Sequence, residues 1–253
     1  TNDVTCKILV GGELRSRKGL NLPGIDLGIS AFTDHDHDCM KFALESGVDA
    51  VSQSFVASAA DLHAVREAAK ALGYQPFIIA KIERSQALQH VDEILAAADG
   101  VMIARGDLGV EIPLETIAVV QKQLTSRANL LGKPVITATQ MLESMVTRSR
   151  PTRAEVTDVA NAILDGTDCV MLSEESAMGN YPVRAVAMLA SIAASTEPHR
   201  ELSVPLASET AQKINGGEIN LADFISHNVQ QAVEYLNPTA VIVPTASGYT
   251  ARM

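Results

Sequence analysis

Polar residues with catalytic potential follow short apolar segments of the 253-residue chain. The first segment is followed by Ser54 and Phe55, and the second runs directly into Lys81-Ile82-Glu83. Because side chains alternate along a strand, Lys81 and Glu83 are predicted to point to the same side. A lysine and a carboxylate held in this way form either a structural ion pair or part of an active site. The sequence leaves both interpretations open.

A second carboxylate follows the third apolar segment, in Arg105-Gly106-Asp107. Two carboxylates with open positions suit a hard ion such as Mg²⁺ when phosphate oxygens complete its octahedron. Gly106 and Gly109 would let the backbone approach a ligand closely. Asp107 could alternatively be no more than a cap of the following helix. Glu83 and Asp107 are therefore candidate ligands of one divalent metal ion.

Hydroxyl and carboxyl groups follow the last two segments. Thr139 and Ser173 could donate to a developing oxyanion or carry a proton, although either residue could simply cap the helix that follows. Glu175, beside Ser173, could position such a proton relay. The adjacent Glu174 is expected to point elsewhere or to solvent.

The apolar segments that carry these residues are predicted to be strands buried on both faces. Helical segments separate them: a Thr152–Glu155 capping box is a start signal, and Gly73, Gly132 and Gly166 are stop signals. One helix between successive strands implies a parallel sheet, either closed as a (β/α)8 barrel or open and doubly wound. Both architectures place active sites at the carboxyl ends of the strands. The predicted strands are 50–53, 77–80, 101–104, 135–138 and 169–172.

The two ends of the chain differ from this central pattern. Residues 7–22 predict a β-hairpin with Gly11-Gly12 in its turn. Near the other end, a helix at 221–235 and a strand at 239–243 predict the beginning of a second unit. That strand would lack a neighbour on one side, so we expect the chain to be a fragment. The hydroxyl-rich residues after it suit an anion nest, a plain turn being the alternative: Thr245, Ser247, Gly248 and Thr250.

Composition and charge exclude several classes of protein. Hydrophobic residues make up 47% of the chain and charged residues 20%, which is typical of a soluble globular protein. The chain has 20 basic and 30 acidic residues, a net charge of −10, and no tryptophan, so we do not expect it to bind nucleic acid. No apolar run approaches the roughly 18 residues of a membrane span. We expect a cytoplasmic protein with a small-molecule partner.

Two sets of potential metal ligands have simpler interpretations. Residues 34–38 have the sequence Asp-His-Asp-His-Asp, but acidic residues in a first helical turn complement the helix dipole and the two histidines face different sides. Cys6, Cys39 and Cys169 are far apart and odd in number, which predicts reduced and buried thiols.

With these residues laid out, the chain resembles the pyruvate kinase family over nearly its whole length. That resemblance implies a partial (β/α)8 barrel, an α/β fold with a β-rich domain inserted after the third barrel strand and a separate C-terminal α/β domain. It assigns residues 1–20 to the tail of the inserted lid domain, 21–200 to the later barrel units and 218–253 to the start of a regulatory domain. Residues 201–217 are predicted to be a linker because they lose helical periodicity and are rich in Pro, Ser, Glu and Gly. The supporting runs are KGLNLPG (18–24), SFV (54–56), AKIE (80–83), DEILAAADGVMIARGDLGVEIP (92–113), KPVITATQMLESM (133–145), RPTRAEVTDVANAILDGTDCVMLSEESAMGNYP (150–182) and TASG (245–248).

The same resemblance implies a role in substrate or metal binding for several of the candidate residues. Lys81 matches the lysine that stabilises the transferring phosphoryl group and the enolate. Glu83 and Asp107 match the divalent metal ligands. The segment Arg105-Gly106-Asp107 matches the one that holds the carboxylate of phosphoenolpyruvate, and Ser54 is assigned to the substrate as well.

Further roles implied by the resemblance concern proton transfer. Thr139 matches the threonine beside the enolate carbon, and Ser173 and Glu175 match residues implicated in its protonation. Glu174 stands where the family usually has glycine. Apart from the resemblance, the loop that contains Ser247 is expected to be a regulatory anion site, because it follows a predicted strand in a unit that a linker separates from every catalytic candidate and because it offers hydroxyl and backbone donors suited to phosphate.

The resemblance implies transfer of a phosphoryl group from phosphoenolpyruvate to ADP, giving pyruvate and ATP with Mg²⁺ or Mn²⁺. It also implies a homotetramer for the complete protein, and K⁺ as a further ion whose usual ligands are not in this chain. Two alternatives remain open. One is a metal-dependent barrel lyase or aldolase that stabilises a pyruvate enolate with the same carboxylates. The other is a non-catalytic fragment.

Overall fold

The strands that the structure describes form one parallel sheet. A computed structural model describes residues 3–13, 22–23 and 30–200, and then residues 225, 228–229, 232–233 and 235–244. Within these residues the sheet has five strands, each paired in parallel with the next along the chain in the order β1-β2-β3-β4-β5. The strands are β1 (Ala50–Gln53), β2 (Phe77–Ile82), β3 (Gly100–Ala104), β4 (Val135–Ala138) and β5 (Cys169–Met171).

This strand order distinguishes between the two architectures that the sequence left open. A doubly wound sheet reverses its strand order at a switch point. The order here runs in one direction throughout, which is the arrangement of successive units of a barrel. The α/β fold and the partial barrel are thereby confirmed, and the five predicted strands agree with the observed ones to within two residues at each end.

Helices cover one face of the sheet. On β2, Ile78, Ala80 and Ile82 are buried in the core that the helices form with the sheet. Ile79 and Lys81 alternate with them and face the opposite, concave side. The helices are α1 (Asp34–Glu45), α2 (Ala59–Ala71), α3 (Val91–Ala97), α4 (Arg105–Glu111), α5 (Ile117–Leu130), α6 (Arg153–Leu164), α7 (Glu174–Ala177) and α8 (Pro182–Thr196).

The helix boundaries follow the predicted start and stop signals. Gly73, Gly132 and Gly166 have positive φ values of 85°, 61° and 104° just after α2, α5 and α6, a conformation that favours glycine. Residues 34–38 form the first turns of α1, where the Asp36 carboxylate accepts hydrogen bonds from the Thr33 backbone and side chain. Of the helices in the described residues, none has the length and apolar character to cross a membrane.

Both predicted terminal strands are wrong where the structure describes them. Residues 3–13 contain no strand, and Ile8, Leu9 and Val10 are all at least 80% exposed. Residues 239–244 also contain no strand, and Ile242 is 90% exposed. Within the described residues no neighbouring strand satisfies the backbone groups of these strand-forming residues, and an unpaired segment of this kind does not form a strand by itself. The described residues at 225–236 are helical, as expected.

The remaining expectations about the ends and the thiols have mixed outcomes. The three cysteines are free but exposed, so their predicted burial is wrong; Cys169 lies on the last strand of the described sheet, which has no outer neighbour there. Residues 14–21 of the hairpin and the linker 201–217 lie outside the described residues. The domain divisions stay predictions.

The capping box of α6 joins two loops near the sheet. Glu155 accepts hydrogen bonds from the backbone and hydroxyl of Ser144, both at 2.6 Å, and from the backbone and hydroxyl of Thr152 at 2.7 and 2.8 Å. Burial acts to raise the pKa of Glu155, but the hydrogen bonds from Ser144 and Thr152 outweigh it and lower the pKa. The ionised carboxylate is therefore the form that stabilises the fold.

Replacing Glu155 by glutamine should weaken the protein in a pH-dependent way. A carboxylate whose pKa is lowered by folding stabilises above its ordinary value of 4.5 and loses this effect as the pH falls through the folded value. We expect Glu155→Gln to reduce the free energy of unfolding by about 1 kcal/mol near neutral pH, with a smaller difference in acid. Urea unfolding of both proteins over a pH series measures this difference. A difference that stays constant into acid would contradict the lowered pKa.

Candidate active site

Three of the predicted site residues meet at the carboxyl ends of β1 and β2. The Lys81 ammonium lies 2.7 Å from a carboxylate oxygen of Glu83 and donates a hydrogen bond of 2.9 Å to the Ser54 hydroxyl. Strands β1 and β2 are paired so that Gln53 lies opposite Ala80, which brings the residues after both strands to the same edge. The alternation predicted for Lys81 and Glu83 is confirmed by this direct contact.

The carboxylate of Glu83 is only 2% exposed. Its second oxygen accepts a hydrogen bond of 2.7 Å from the backbone N–H of Phe55. Phe55 has a φ of 55°, an uncommon value for a residue other than glycine, and this turn directs its N–H at the carboxylate. Glu83 therefore connects the ends of two strands while carrying a buried negative charge that Lys81 balances.

Asp107 lies one strand further along the same edge. Ile82 of β2 pairs with Ile103 of β3, so Glu83, which follows β2, lies beside the end of β3. Asp107 lies in the first turn of α4, which begins directly after β3. Asp107 is half-buried, and its carboxylate has neither a hydrogen bond nor an ion pair within the described residues. It is not needed as a helix cap, because Ala104 is the N-cap residue of α4.

The two carboxylates have the donor chemistry of a Mg²⁺ or Mn²⁺ site that shares its ion with a substrate. No group of three or more histidine, cysteine, aspartate or glutamate residues converges in the part of the chain that the structure describes. A magnesium site commonly uses one or two carboxylates and fills its other positions with water and phosphate oxygens. A carboxylate oxygen has two lone pairs, so Glu83 can accept a hydrogen bond and still bind an ion.

The backbone turns sharply where β4 ends. Thr139 and Gln140 both have positive φ values, 76° and 56°. Left-handed conformation costs a residue other than glycine roughly 1–2 kcal/mol, and a branched side chain makes it less favourable still. Strain of this kind persists only where the surrounding structure holds it, and it is frequent at functional sites.

Gly106 packs directly against Thr139. A Cβ atom at Gly106 would lie 2.6 Å from the Thr139 methyl group, which is too close for any ordinary contact. Glycine is therefore required here by packing between the β3 and β4 ends. The close approach of a ligand at Gly106 stays a prediction, and the structure adds the close approach of a neighbouring side chain.

The guanidinium of Arg105 is occupied by protein groups. Its Nη2 donates to the Thr139 carbonyl at 2.7 Å, its Nε donates to the Ala138 carbonyl at 3.3 Å, and its Nη1 contacts both carboxylate oxygens of Asp158 at 2.7 and 2.8 Å. The side chain is only 10% exposed. The backbone of the Arg105-Gly106-Asp107 segment lies at the strand ends, whereas the Arg105 side chain holds the adjacent loop.

Ser173 and Glu175 come together through the backbone. The fully buried Glu175 carboxylate accepts one hydrogen bond of 2.8 Å from the Ser173 N–H and another of 2.9 Å from the Leu142 N–H. Within the described residues the Ser173 hydroxyl has no hydrogen-bond partner. Glu175 thus fixes the chain that presents Ser173 and joins it to the loop after β4. Glu174 is exposed, as expected.

Two groups near the site escaped the sequence prediction. Burial raises the pKa of Glu143, and the negative charges of Glu175, Glu174 and Glu155 raise it further. Asp158 binds Arg105 although 53 positions separate the two residues. Both residues lie inside runs that carry the resemblance, but the groups they interact with are distant in the sequence, so no local pattern identifies these interactions. The predicted effector residues lie outside the described residues: Thr245, Ser247, Gly248 and Thr250.

Residues 1–186 match the profile of the family described as pyruvate kinase, barrel domain. The chain belongs to the pyruvate kinase family. A pyruvate kinase of Thermococcus litoralis is 47% identical over 263 residues, which cover 100% of this chain and 53% of that relative. Pyruvate kinase 2 of Synechocystis sp. is 48% identical over 250 residues, which cover 99% of the chain and 41% of the relative.

Human pyruvate kinase PKLR is similar to the same extent. It is 45% identical over 262 residues, covering 96% of this chain and 46% of the human protein. The chain spans about half the length of these pyruvate kinases, or less. The family membership agrees with the barrel-type strand order and with the resemblance found in the sequence.

Because Gly106 packs against Thr139, alanine should lower the free energy of unfolding at Gly106 but not at Gly109, the other glycine of α4. Gly106→Ala forces the Thr139 methyl group to move, and overpacking of this kind costs about 1–3 kcal/mol of unfolding free energy. Gly109→Ala is the matched control, because a Cβ there has its nearest neighbour at 3.7 Å. We expect the control to be neutral or slightly stabilising, since alanine favours helix. Equal effects in urea unfolding would contradict the packing argument.

Proposed function

We propose that this chain forms the metal-binding and phosphoenolpyruvate-binding part of an enzyme that transfers a phosphoryl group to ADP, giving pyruvate and ATP. The observation that carries the proposal is the contact of Lys81 with Glu83 and Ser54 at the carboxyl end of a barrel-type sheet. Membership of the pyruvate kinase family supports it, and the activity of the complete protein is inferred on that basis.

Phosphoryl transfer requires alignment and neutralisation of charge more than covalent catalysis. The Lys81 ammonium is half-buried on the concave side of β2 and retains donor capacity beyond its contacts with Glu83 and Ser54. In the proposed reaction it binds a phosphoryl oxygen and stabilises the negative charge that develops on the enolate. The Ser54 hydroxyl accepts a hydrogen bond from Lys81, so its own proton is available to a substrate oxygen.

Glu83 and Asp107 are the residues proposed to hold Mg²⁺ or Mn²⁺. A bound ion would supply positive charge to the phosphate and carboxylate oxygens of the substrate. Glu83 is already fixed by Phe55 and Lys81, whereas Asp107 has no hydrogen bond or ion pair within the described residues. Glu83, the more rigidly held carboxylate, would therefore set the position of the ion, and Asp107 would be the second protein ligand.

Thr139 and Ser173 are proposed to move the proton that converts the enolate to pyruvate. Each hydroxyl lies just beyond the end of a strand, and neither has a hydrogen-bond partner within the described residues. Glu175 acts indirectly in this proposal, because its carboxylate binds the backbone at Ser173 and Leu142. The backbone N–H groups around Gly106 are proposed to bind the carboxylate of phosphoenolpyruvate.

The two alternative functions differ from this proposal in whether the protein needs ADP for turnover and in whether it turns over substrate at all. A barrel lyase or aldolase acting through a pyruvate enolate would turn over without ADP, and a non-catalytic fragment would bind without turnover. An assay of the full protein with phosphoenolpyruvate, Mg²⁺ and ADP, repeated without ADP, separates the three. Cytoplasmic location, K⁺ dependence, a homotetramer and an effector site at the loop containing Ser247 remain further proposals for the complete protein.

Removing the Asp107 carboxylate should weaken metal binding. We expect Asp107→Ala to lower the affinity for Mn²⁺ by about 10-fold or more, because one of two charged ligands is lost. Relaxation enhancement of water protons by Mn²⁺ measures this affinity directly. The matched control is Glu115→Ala, which removes an exposed carboxylate from the 3-10 turn Leu114–Thr116. Unchanged Mn²⁺ affinity in Asp107→Ala would eliminate Asp107 as a ligand.

Lys81→Met should affect the rate more than the binding of substrate. A charge that acts mainly on the transition state lowers kcat when it is lost, here by about 10³-fold, with a smaller change in KM. Lys70→Met, at the exposed end of α2, is the control for loss of a lysine charge. Steady-state kinetics with varied phosphoenolpyruvate separate the two parameters. A large rise in KM with normal kcat would mean that Lys81 binds only the ground state.

A further inference from the structure

We propose that Arg105 is a positioning residue that holds the left-handed backbone at Thr139, and that Asp158 on α6 orients the Arg105 guanidinium for this task. The proposal rests on the proposed function, in which the Thr139 hydroxyl takes part in proton transfer. Arg105 itself does not touch the substrate in this proposal, because its guanidinium is occupied by protein groups.

The two carbonyl groups that Arg105 binds are consecutive along the chain. In an extended strand, successive carbonyls point in opposite directions. One planar guanidinium can reach the Ala138 and Thr139 oxygens together only because the chain turns at Thr139, where φ is 76°. The hydrogen bonds from Arg105 therefore select the turned conformation over the extended one.

Asp158 and Gln121 hold the guanidinium on its other side. Nη1 of Arg105 contacts both carboxylate oxygens of Asp158 and also donates to the Gln121 side-chain oxygen at 3.3 Å. The Gln121 amide in turn donates to Asp165 at 3.1 Å. Asp158 neutralises the charge of the buried guanidinium, and these contacts fix its plane. Helices α5 and α6 thereby determine where the two carbonyl oxygens are held.

Gly106 is close to the side chain of Thr139, because a Cβ atom at Gly106 would lie 2.6 Å from the Thr139 methyl group. The dipeptide Arg105-Gly106 is therefore next to Thr139 at both its carbonyl and its side chain. A shift of the turn would move the hydroxyl that the proposed mechanism uses. A displacement of about 1 Å at a reacting group can cost about 100-fold in rate.

The first test is the backbone conformation, which does not depend on turnover. Arg105→Lys keeps the positive charge, but a single ammonium cannot reproduce the planar set of donors that binds two carbonyls and Asp158. We expect Thr139 and Gln140 to leave positive φ in a crystal structure of this variant, and their amides to exchange faster with solvent. Arg127→Lys is the matched control, because Arg127 is an exposed arginine that binds only Asp92 within the described residues. Retention of both positive φ values in Arg105→Lys would overturn the proposal.

The second test is kinetic and uses the full protein. We expect Arg105→Lys to lower kcat by about 100-fold, with the KM for phosphoenolpyruvate changed by less than about 3-fold. In a Thr139→Ala background the same substitution should cost less than about 3-fold, because the hydroxyl that Arg105 positions is already absent. Equal losses in the two backgrounds would mean that Arg105 serves only the general fold.

A second, milder variant, Asp158→Asn, tests the same proposal if Arg105→Lys does not fold. Asp158→Asn keeps the size of a half-buried side chain and removes its charge, and we expect about a 10-fold loss of kcat that also disappears in the Thr139→Ala background. If Arg105→Lys does not fold, Asp158→Asn decides the question by the same backbone and kinetic measurements. A parent protein without phosphoenolpyruvate-dependent ATP formation would disprove the proposed function, while the backbone measurement would still test the role of Arg105.

Discussion

The buried carboxylate of Glu83 is the constraint on which the site depends. A charge that is removed from water must be matched by a counter-charge and by hydrogen bonds, and leaving it unmatched is strongly destabilising. Lys81 supplies the counter-charge and the Phe55 N–H supplies a hydrogen bond. The Phe55 N–H reaches the carboxylate because the chain turns into positive φ after β1. The buried carboxylate of Glu83 thereby holds together the ends of β1 and β2 and positions the ammonium group of Lys81.

The central strands could be predicted because their signals are local. Each strand is a short apolar run, and each helix ends or begins at a residue whose conformational preference is strong, such as Gly73 or the Thr152–Glu155 capping box. The same alternation that buries Ile78 and Ile82 also places Lys81 on the concave side. The contact of Lys81 with Glu83 follows from this pattern, so the charged part of the site was predictable.

Other parts of the site depend on contacts that no local pattern encodes. Arg105 and Asp158 are 53 positions apart and meet only through the tertiary fold. Glu175 binds the backbone of Ser173, not its hydroxyl. The predicted strands at 8–10 and 239–243 were wrong for a related reason. Their residues favour strands, but a strand forms only when a partner satisfies its backbone groups, and the propensity of a segment does not contain that partner.

The packing of Gly106 against Thr139 has a consequence for how relatives of this chain can diverge. An unshifted Cβ atom at position 106 would lie 2.6 Å from the methyl group of Thr139, so the two groups compete for one space. The cost of adding the Cβ atom at position 106 therefore depends on which side chain stands at position 139. In a relative with serine at position 139, which has no methyl group, alanine at position 106 should cost less.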